Sequence, residues 1–365
     1  MIQQFPINEL LAIADDYGRR AGFVIAGGGN VSVKAGEVLF VKASGCALAG
    51  MTEENLVAMD RAALVSTLHE CRAIGDPGPR EKQFLNLIYK ARREPHYDRR
   101  PSVEVILHNL LPQTFVVHTH ATVVNQLSCA VRGEELCREI LGDSALWIPY
   151  VDPGCVLAAA VEDALIGYRE KHKCEPRQII LQNHGLFVAG DSRAEIDEKT
   201  DEVIGKIAAR VGSVKPSLHG FTESKGPFEK LLDQEVFSAT GESSILRRMM
   251  GEKAEREAVF GLALTPDQIV YCGMRPVRLE EAEAEAVFYL AQNGSLPKVF
   301  LKEDGGIVGV GTTEKAARNA VEVFLDTLLI MMGAMRLGGI HSLNQRDAEF
   351  IRDWEIEQYR QTISN

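Results

Sequence analysis

RQIILQNHGLFVAG, residues 177–190, reads as a strand, a tight turn at Asn183 to Gly185 and a second strand. An apolar run leads into the polar Asn-His-Gly triplet, and Gly185 lets the backbone reverse sharply there. A helix from about Ser192 to Val211 follows. Upstream, FVVHTH at 115–120 is a β-rich run feeding a helical stretch, Ala121 to Ala130, and a further helix is expected from Val103 to Leu110. Earlier still, GGGN at 27–30, VSVK at 31–34 and VLFVKASG at 38–45 predict two short strands joined at Ala35 and Gly36, after a helix from Ile7 to Gly22. Residues 52–72 are expected to be helical beyond an acidic first turn, and the Pro-, Arg- and Gly-rich stretch 75–101 to form a loop. The alternation predicts a mixed α/β fold of α+β type.

The chain has 365 residues, more than one hydrophobic core usually serves, so two modules are expected. The polar stretch Lys215 to Pro227 divides them into 1–214 and a smaller α/β module, 215–365. An internal echo links the two. Residues 176–204 align without gaps on 297–325, placing Gly185 on Gly306, Gly190 on Gly311 and His184 on Gly305. A degenerate repeat and a chance likeness of two strand–turn–strand–helix units both account for it. Either way the second module is expected to be structural or oligomerising, with the apolar helix around Val321 to Met335 and the tail residues Trp354 and Tyr359 buried against the first module or another subunit.

A net charge of −11 argues against nucleic-acid binding, which selects clustered Lys and Arg. No apolar run approaches the roughly 20 residues of a membrane span, and the N-terminus lacks a basic region followed by an apolar core, so a cytoplasmic location is expected. Seven cysteines without CxxC spacing read as reduced core residues. GGIVGVG at 305–311 has neither GxGxxG spacing nor the lysine of a phosphate-binding loop, so it reads as a glycine-containing strand.

His118 and His120 stand two apart in a β-like run, so both imidazoles can point to one face and reach one ion. A catalytic zinc site takes three protein ligands at about 2.0 to 2.1 Å from nitrogen and keeps a position open. His184, in its sharp turn, is the candidate third ligand. Taken alone, HxH is more often a surface pair and NHG a mere turn. Glu104 precedes this set, and a carboxylate beside a dication either completes the coordination or serves as a base. A solvated glutamate at a helix start is the plainer alternative. His108 lies one turn further along the same helix face and reads as a supporting or packing residue. The GGGN stretch and the Ser44-Gly45 turn offer backbone N–H groups that could cradle a phosphate.

In order and spacing, GGGNVSVK, VKASG, PSVEVILH, VVHTHATVVN and QNHGLFVAG resemble the class II aldolase/adducin family, over roughly residues 5–212. The form with VKxSG resembles the subgroup with a C-terminal extension. The resemblance implies a central, mostly antiparallel sheet flanked by helices, with His118, His120 and His184 as zinc ligands and Glu104 as catalytic acid/base. It implies that Asn30, Ser44, Gly45 and Ser102 bind substrate phosphate, although Val103 stands where the sugar-phosphate members often have a second serine. The implied activity is cleavage of a ketose 1-phosphate, such as fuculose or rhamnulose 1-phosphate, to dihydroxyacetone phosphate and an aldehyde through a metal-stabilised enediolate. Epimerase, dehydratase and decarboxylase chemistry on the same metal are the alternatives, and a non-catalytic adducin-like assembly module stands behind them. One Zn2+ or another divalent ion per chain, a small sugar-phosphate substrate, no nucleic-acid or membrane partner, and a homo-oligomer, tetrameric in many members, complete the expectation.

Overall fold

A computed structural model describes residues 4–96, 98–212, 218–225 and 236–354. These divide into two units: residues 1–124 with 134–210, and residues 125–133 with 211–365.

The first unit opens with helix α1 (Gln4–Arg19) and the predicted hairpin of strands β1 (Asn30–Ala35) and β2 (Val38–Lys42). Strand β3 (Leu56–Asp60) comes next, where a helix was expected to begin. Its five residues are too few to show a period, and pairing with β2 from Val38↔Asp60 to Lys42↔Leu56 decides their conformation. Helix α2 (Arg61–Arg72) then starts at Asp60, whose side chain caps the Ala63 N–H.

The region 75–101, expected to be a loop, holds the 14-residue helix α3 (Pro77–Lys90). The prolines lie in its first turn, where no N–H is needed, Asp76 caps Gly78, and Phe84, Leu85 and Ile88 are buried. Helix α4 (Val105–Leu110), strand β4 (Phe115–Thr119), helices α5 (Thr122–Ser128) and α6 (Gly133–Leu141), strand β5 (Ala145–Ile148), helix α7 (Cys155–His172), strands β6 (Gln178–Leu181) and β7 (Gly185–Gly190) and helix α8 (Arg193–Val211) complete this part of the chain. The sheet order is β3-β2-β1-β4-β7-β6-β5, antiparallel throughout except for the parallel pair β5 and β6. One face packs on α2, α3, α4 and α7 through Leu64, Leu68, Phe84, Ile88, Val161 and Phe187, all buried.

In the second unit, strand β8 (Leu218–Lys225) lies inside the polar stretch read as a boundary. Strand β9 (Phe237–Ser243), helices α9 (Ser244–Gly251), α10 (Lys253–Val259) and α11 (Pro266–Cys272), strand β10 (Val277–Arg278), helix α12 (Ala282–Asn293), strands β11 (Val299–Leu301) and β12 (Gly306–Gly311), and helices α13 (Glu314–Arg336) and α14 (Gln345–Asp353) follow. Buried α13 packs on β12, β9 and α11. Residues 125–133 join this unit through Gln126, whose amide donates to Leu329 O at 3.0 Å over Gly333. A Cβ on Gly333 would sit 2.2 Å from Gln126 Cγ, so glycine is needed there. Trp354 is buried, while Tyr359 lies outside the described residues.

The sheet order β10-β11-β12-β9-β8 matches β5-β6-β7-β4-β1, with the parallel pair at the same end. The register matches too. Gly190 faces Phe115 in the first sheet, and Gly311 faces Phe237 in the second. The 121-residue offset of the sequence echo carries the first residues of β7 and α8 onto those of β12 and α13, since 185 + 121 = 306 and 193 + 121 = 314.

Candidate metal centre

Three elements of the first unit converge at the β4 and β7 ends nearest the 182–184 turn. His118 is on β4, His120 lies one residue beyond that strand, and His184 closes the turn between β6 and β7, its N–H donating to Leu181 O at 3.2 Å. Asn183 holds a left-handed backbone (φ 56°) that makes the turn. Gly185 lets β7 approach closely: a Cβ there would lie 2.4 Å from Thr119 O. Gly29, with φ +69°, serves likewise, because its Cβ would meet His118 O at 2.8 Å.

One nitrogen from each of His118, His120 and His184 falls within 4.8 Å of the others. His118 Nε2 and His120 Nε2 are 3.0 Å apart, and Phe187 stacks on the His118 ring at 4.1 Å. His118 Nδ1 lies 3.1 Å from Leu186 O, a carbonyl that only a protonated nitrogen can pair with. This fixes the proton on Nδ1 and turns the Nε2 lone pair toward the cluster. Burial drives the His118 imidazole well below its ordinary pKa, against the opposing pull of Glu104, and so favours the uncharged form that can ligate.

Glu104 closes the cluster, with Oε2 at 3.5 Å from His118 Nε2 and Oε1 at 3.4 Å from His184 Nε2. Burial by itself would push its carboxyl up, but His118, His184 and His120 and the Asn30 N–H outweigh that and hold it at about 2. Asn30 Nδ2 donates to Oε2 at 2.6 Å, while the buried Oε1 has no hydrogen-bond partner. A buried carboxylate within 3.5 Å of His118 and His184, with one oxygen lacking a hydrogen-bond partner, is what a divalent cation would satisfy, so the donor set fits one.

The expected phosphate-binding residues lie beside this set. Ala43 bridges Pro101, Ser44 N donates to Arg100 O, and Ser102 N donates to Lys42 O, bringing the Ser44-Gly45 turn alongside Ser102. Gly45 has φ +81°. Ser102 Oγ accepts from the Glu104 N–H at 3.3 Å. Asn30 is instead turned to Glu104 and to His108, whose Nε2 contacts its Oδ1.

One participant escaped the sequence reading, and so did the contacts of a second. Buried Lys42 sends its ammonium to Gly27 O and Cys46 O, putting a cation between the two glycine-containing loops. Its only signal was a lysine ending an otherwise apolar strand. His108 was noticed, but not its bridge across to Asn30 and Ser32. Among the described residues no other group of three His, Cys or carboxylate side chains is placed to hold a metal, and no helix is long and apolar enough to cross a membrane.

Among curated proteins the chain is similar to the uncharacterized oxidoreductase YuxG of Bacillus subtilis (strain 168), 22% identical over 404 residues that cover 93% of this chain and 55% of that protein. It therefore spans about half the length of that relative. Among solved structures it is similar to the N-terminal class II aldolase domain of a conserved protein from Thermoplasma acidophilum, at 25% identity and TM-score 0.48, covering 56% of this chain and 93% of that one. It is also similar to an L-fuculose-1-phosphate aldolase from Thermus thermophilus, at 18% identity and TM-score 0.33, covering 56% and 87%. The family model described as class II aldolase and adducin N-terminal domain matches residues 8–203, more than half of the chain, which therefore belongs to that family.

Proposed function

We propose that this protein is a zinc-dependent lyase that cleaves a ketose 1-phosphate into dihydroxyacetone phosphate and an aldehyde. The observation that carries the reading is Glu104 Oε1, a buried carboxylate oxygen with no donor, set against three histidines. His118, His120 and His184 would hold the cation, which when bound supplies Lewis acidity toward the substrate oxygen that gains charge as the C3–C4 bond breaks. Glu104 handles the proton at the carbon beside the carbonyl, through Oε1, because Oε2 is occupied by Asn30. Ser44, Gly45 and Ser102 receive the phosphate, and Lys42 adds the positive charge that an acidic protein must supply locally.

The second unit, in this reading, is a metal-free copy of the first fold with a structural or oligomerising role. At the positions of His118, His120 and His184 it carries Thr240, Glu242 and Gly305. It has two histidines, His219 and His341.

The test is elemental analysis of the purified full chain together with an aldehyde-release assay on ketose 1-phosphates, including epimerase and decarboxylase readouts. About one zinc per chain, lost in His184→Ala, and retro-aldol turnover are expected. Full metal occupancy in His184→Ala would overturn the ligand set. Epimerisation or decarboxylation without cleavage would keep the metal centre and replace the reaction.

A further inference from the structure

We propose that His108 is a positioning residue for Glu104: through Asn30 it fixes which carboxylate oxygen is held and which is left free to take a proton. This rests on the acid/base role given to Glu104 above. The inference follows from donors and acceptors alone. Asn30 presents its NH2 to Glu104 Oε2 at 2.6 Å. The amide oxygen then points the other way, to His108 Nε2, which must donate. The one proton of a neutral ring is thereby placed on Nε2, leaving Nδ1 to accept from Ser32 Oγ at 2.7 Å.

The geometry suits the task. Asn30 and Ser32 stand two apart on β1, on one face, so a single imidazole spans both. His108 comes one helical turn after Glu104, its N–H donating to Glu104 O at 3.2 Å. Carboxylate and brace therefore share one rigid turn, and the hydrogen bonds close a ring through β1. Ser32 and His108 are fully buried and Asn30 nearly so, and the Phe187 and His108 rings meet edge to face with centroids 5.4 Å apart. Burial also holds the His108 ring at about 3, so it remains singly protonated at any working pH. An apolar ring would fill this space without the cost of burying polar atoms, and a fully satisfied polar chain ending on the reacting carboxylate rigidifies it.

The experiment uses the full chain with 15N-labelled histidine, wild type beside His108→Leu, which removes the donor, and His108→Gln, which keeps an N–H near the place of Nε2. Ring 15N spectra of the wild type should show the Nε2–H tautomer for His108, and the Asn30 side-chain amide signals should move in His108→Leu and return toward wild type in His108→Gln. Zinc affinity, by competition titration, should stay within about twofold in both variants, while kcat falls roughly 10- to 100-fold in His108→Leu, with little change in KM, and recovers in His108→Gln. An Nδ1–H tautomer, or a glutamine variant no better than leucine, overturns the proposal. Should His108→Leu not fold, the tautomer and the Asn30 signals of the wild type and His108→Gln decide it. Absence of turnover in a wild type that shows the expected tautomer overturns the aldolase reading and leaves the brace standing.

Discussion

Gly185→Ala tests whether the spacing of β4 and β7 builds the metal centre. The added Cβ would lie 2.4 Å from Thr119 O, 3.2 Å from His118 Cε1 and 3.3 Å from His120 Cα. Ordinary contact begins near 3.4 Å, so relief requires about 3.4 − 2.4 = 1.0 Å of movement, and the offending atom is backbone that cannot rotate aside. The strands must part where β4 carries His118 and leads into His120, and where β7 follows His184. Overpacking of this kind costs about 1–3 kcal/mol, offset by up to about 1 kcal/mol from the reduced freedom of the unfolded chain. A net destabilisation of about 1–2 kcal/mol is expected in urea melts of the metal-free protein. Zinc affinity should fall at least tenfold, since losing the support that orients metal ligands costs about 10- to 100-fold in affinity. Gly167→Ala is the control: it sits within α7, its Cβ meets nothing within 4 Å, and it should gain about 0.5–1 kcal/mol with unchanged zinc binding. A folded Gly185→Ala protein with the zinc affinity of the wild type would refute the reasoning.

Glu104→Gln should keep its metal and lose about 10²-fold in turnover, and unchanged turnover would move proton transfer to another group. His108, held at about 3 by burial, makes stability depend on pH: between 3 and 6.5 the unfolded chain binds a proton that the folded chain excludes. Stability from this residue is complete above 6.5 and is lost as pH falls toward 3, by at most on the order of 5 kcal/mol, and the acid limb of a urea-midpoint profile should flatten in His108→Gln. Buried Lys34, which donates to Gln113 O, is brought to about 7 by burial and by Arg61. From 7 to 10.5 the unfolded chain holds the extra proton, so stability should rise with pH there, and Lys34→Met should abolish that rise; a persisting rise would mean another group causes it.

What the sequence revealed, and what it concealed, follows the range of the interactions involved. The β1 and β2 hairpin, the β6 and β7 hairpin and α8 were legible because each is specified by residues a few positions apart. Strand β3 was not, because its partner β2 lies across a loop, and α3 was hidden by prolines whose helix-starting role depends on the cap at Asp76. The metal set shows the same division. Its three histidines and Glu104 were each marked by local context, and the structure brings them together. The Asn30 to His108 contact spans 78 residues and depends on β1 lying over α4, which no local pattern announces.

The two sheets separate the part of the sequence that makes the fold from the part that makes the chemistry. Order, direction and register agree between them, and both keep glycine at the start and end of the strand in the β7 and β12 position. Those glycines answer to packing: a Cβ on Gly190 or Gly311 would enter the following helix, at Glu195 and Ile196 in one case and at Ala316 and Ala317 in the other. In the proposed reading the residue just before the strand answers to function instead. It is His184 in the first unit and Gly305 in the second, where φ is +97° and a Cβ would lie 2.7 Å from Ser243 O and 2.9 Å from Arg247 Cβ. Arg247 occupies that corner, donating to Asp304 O at 2.6 Å and approaching Glu242, which stands at the His120 position, at 3.7 Å. Returning a histidine to position 305 alone therefore cannot rebuild a metal centre, because the backbone there is left-handed and the space already holds Arg247.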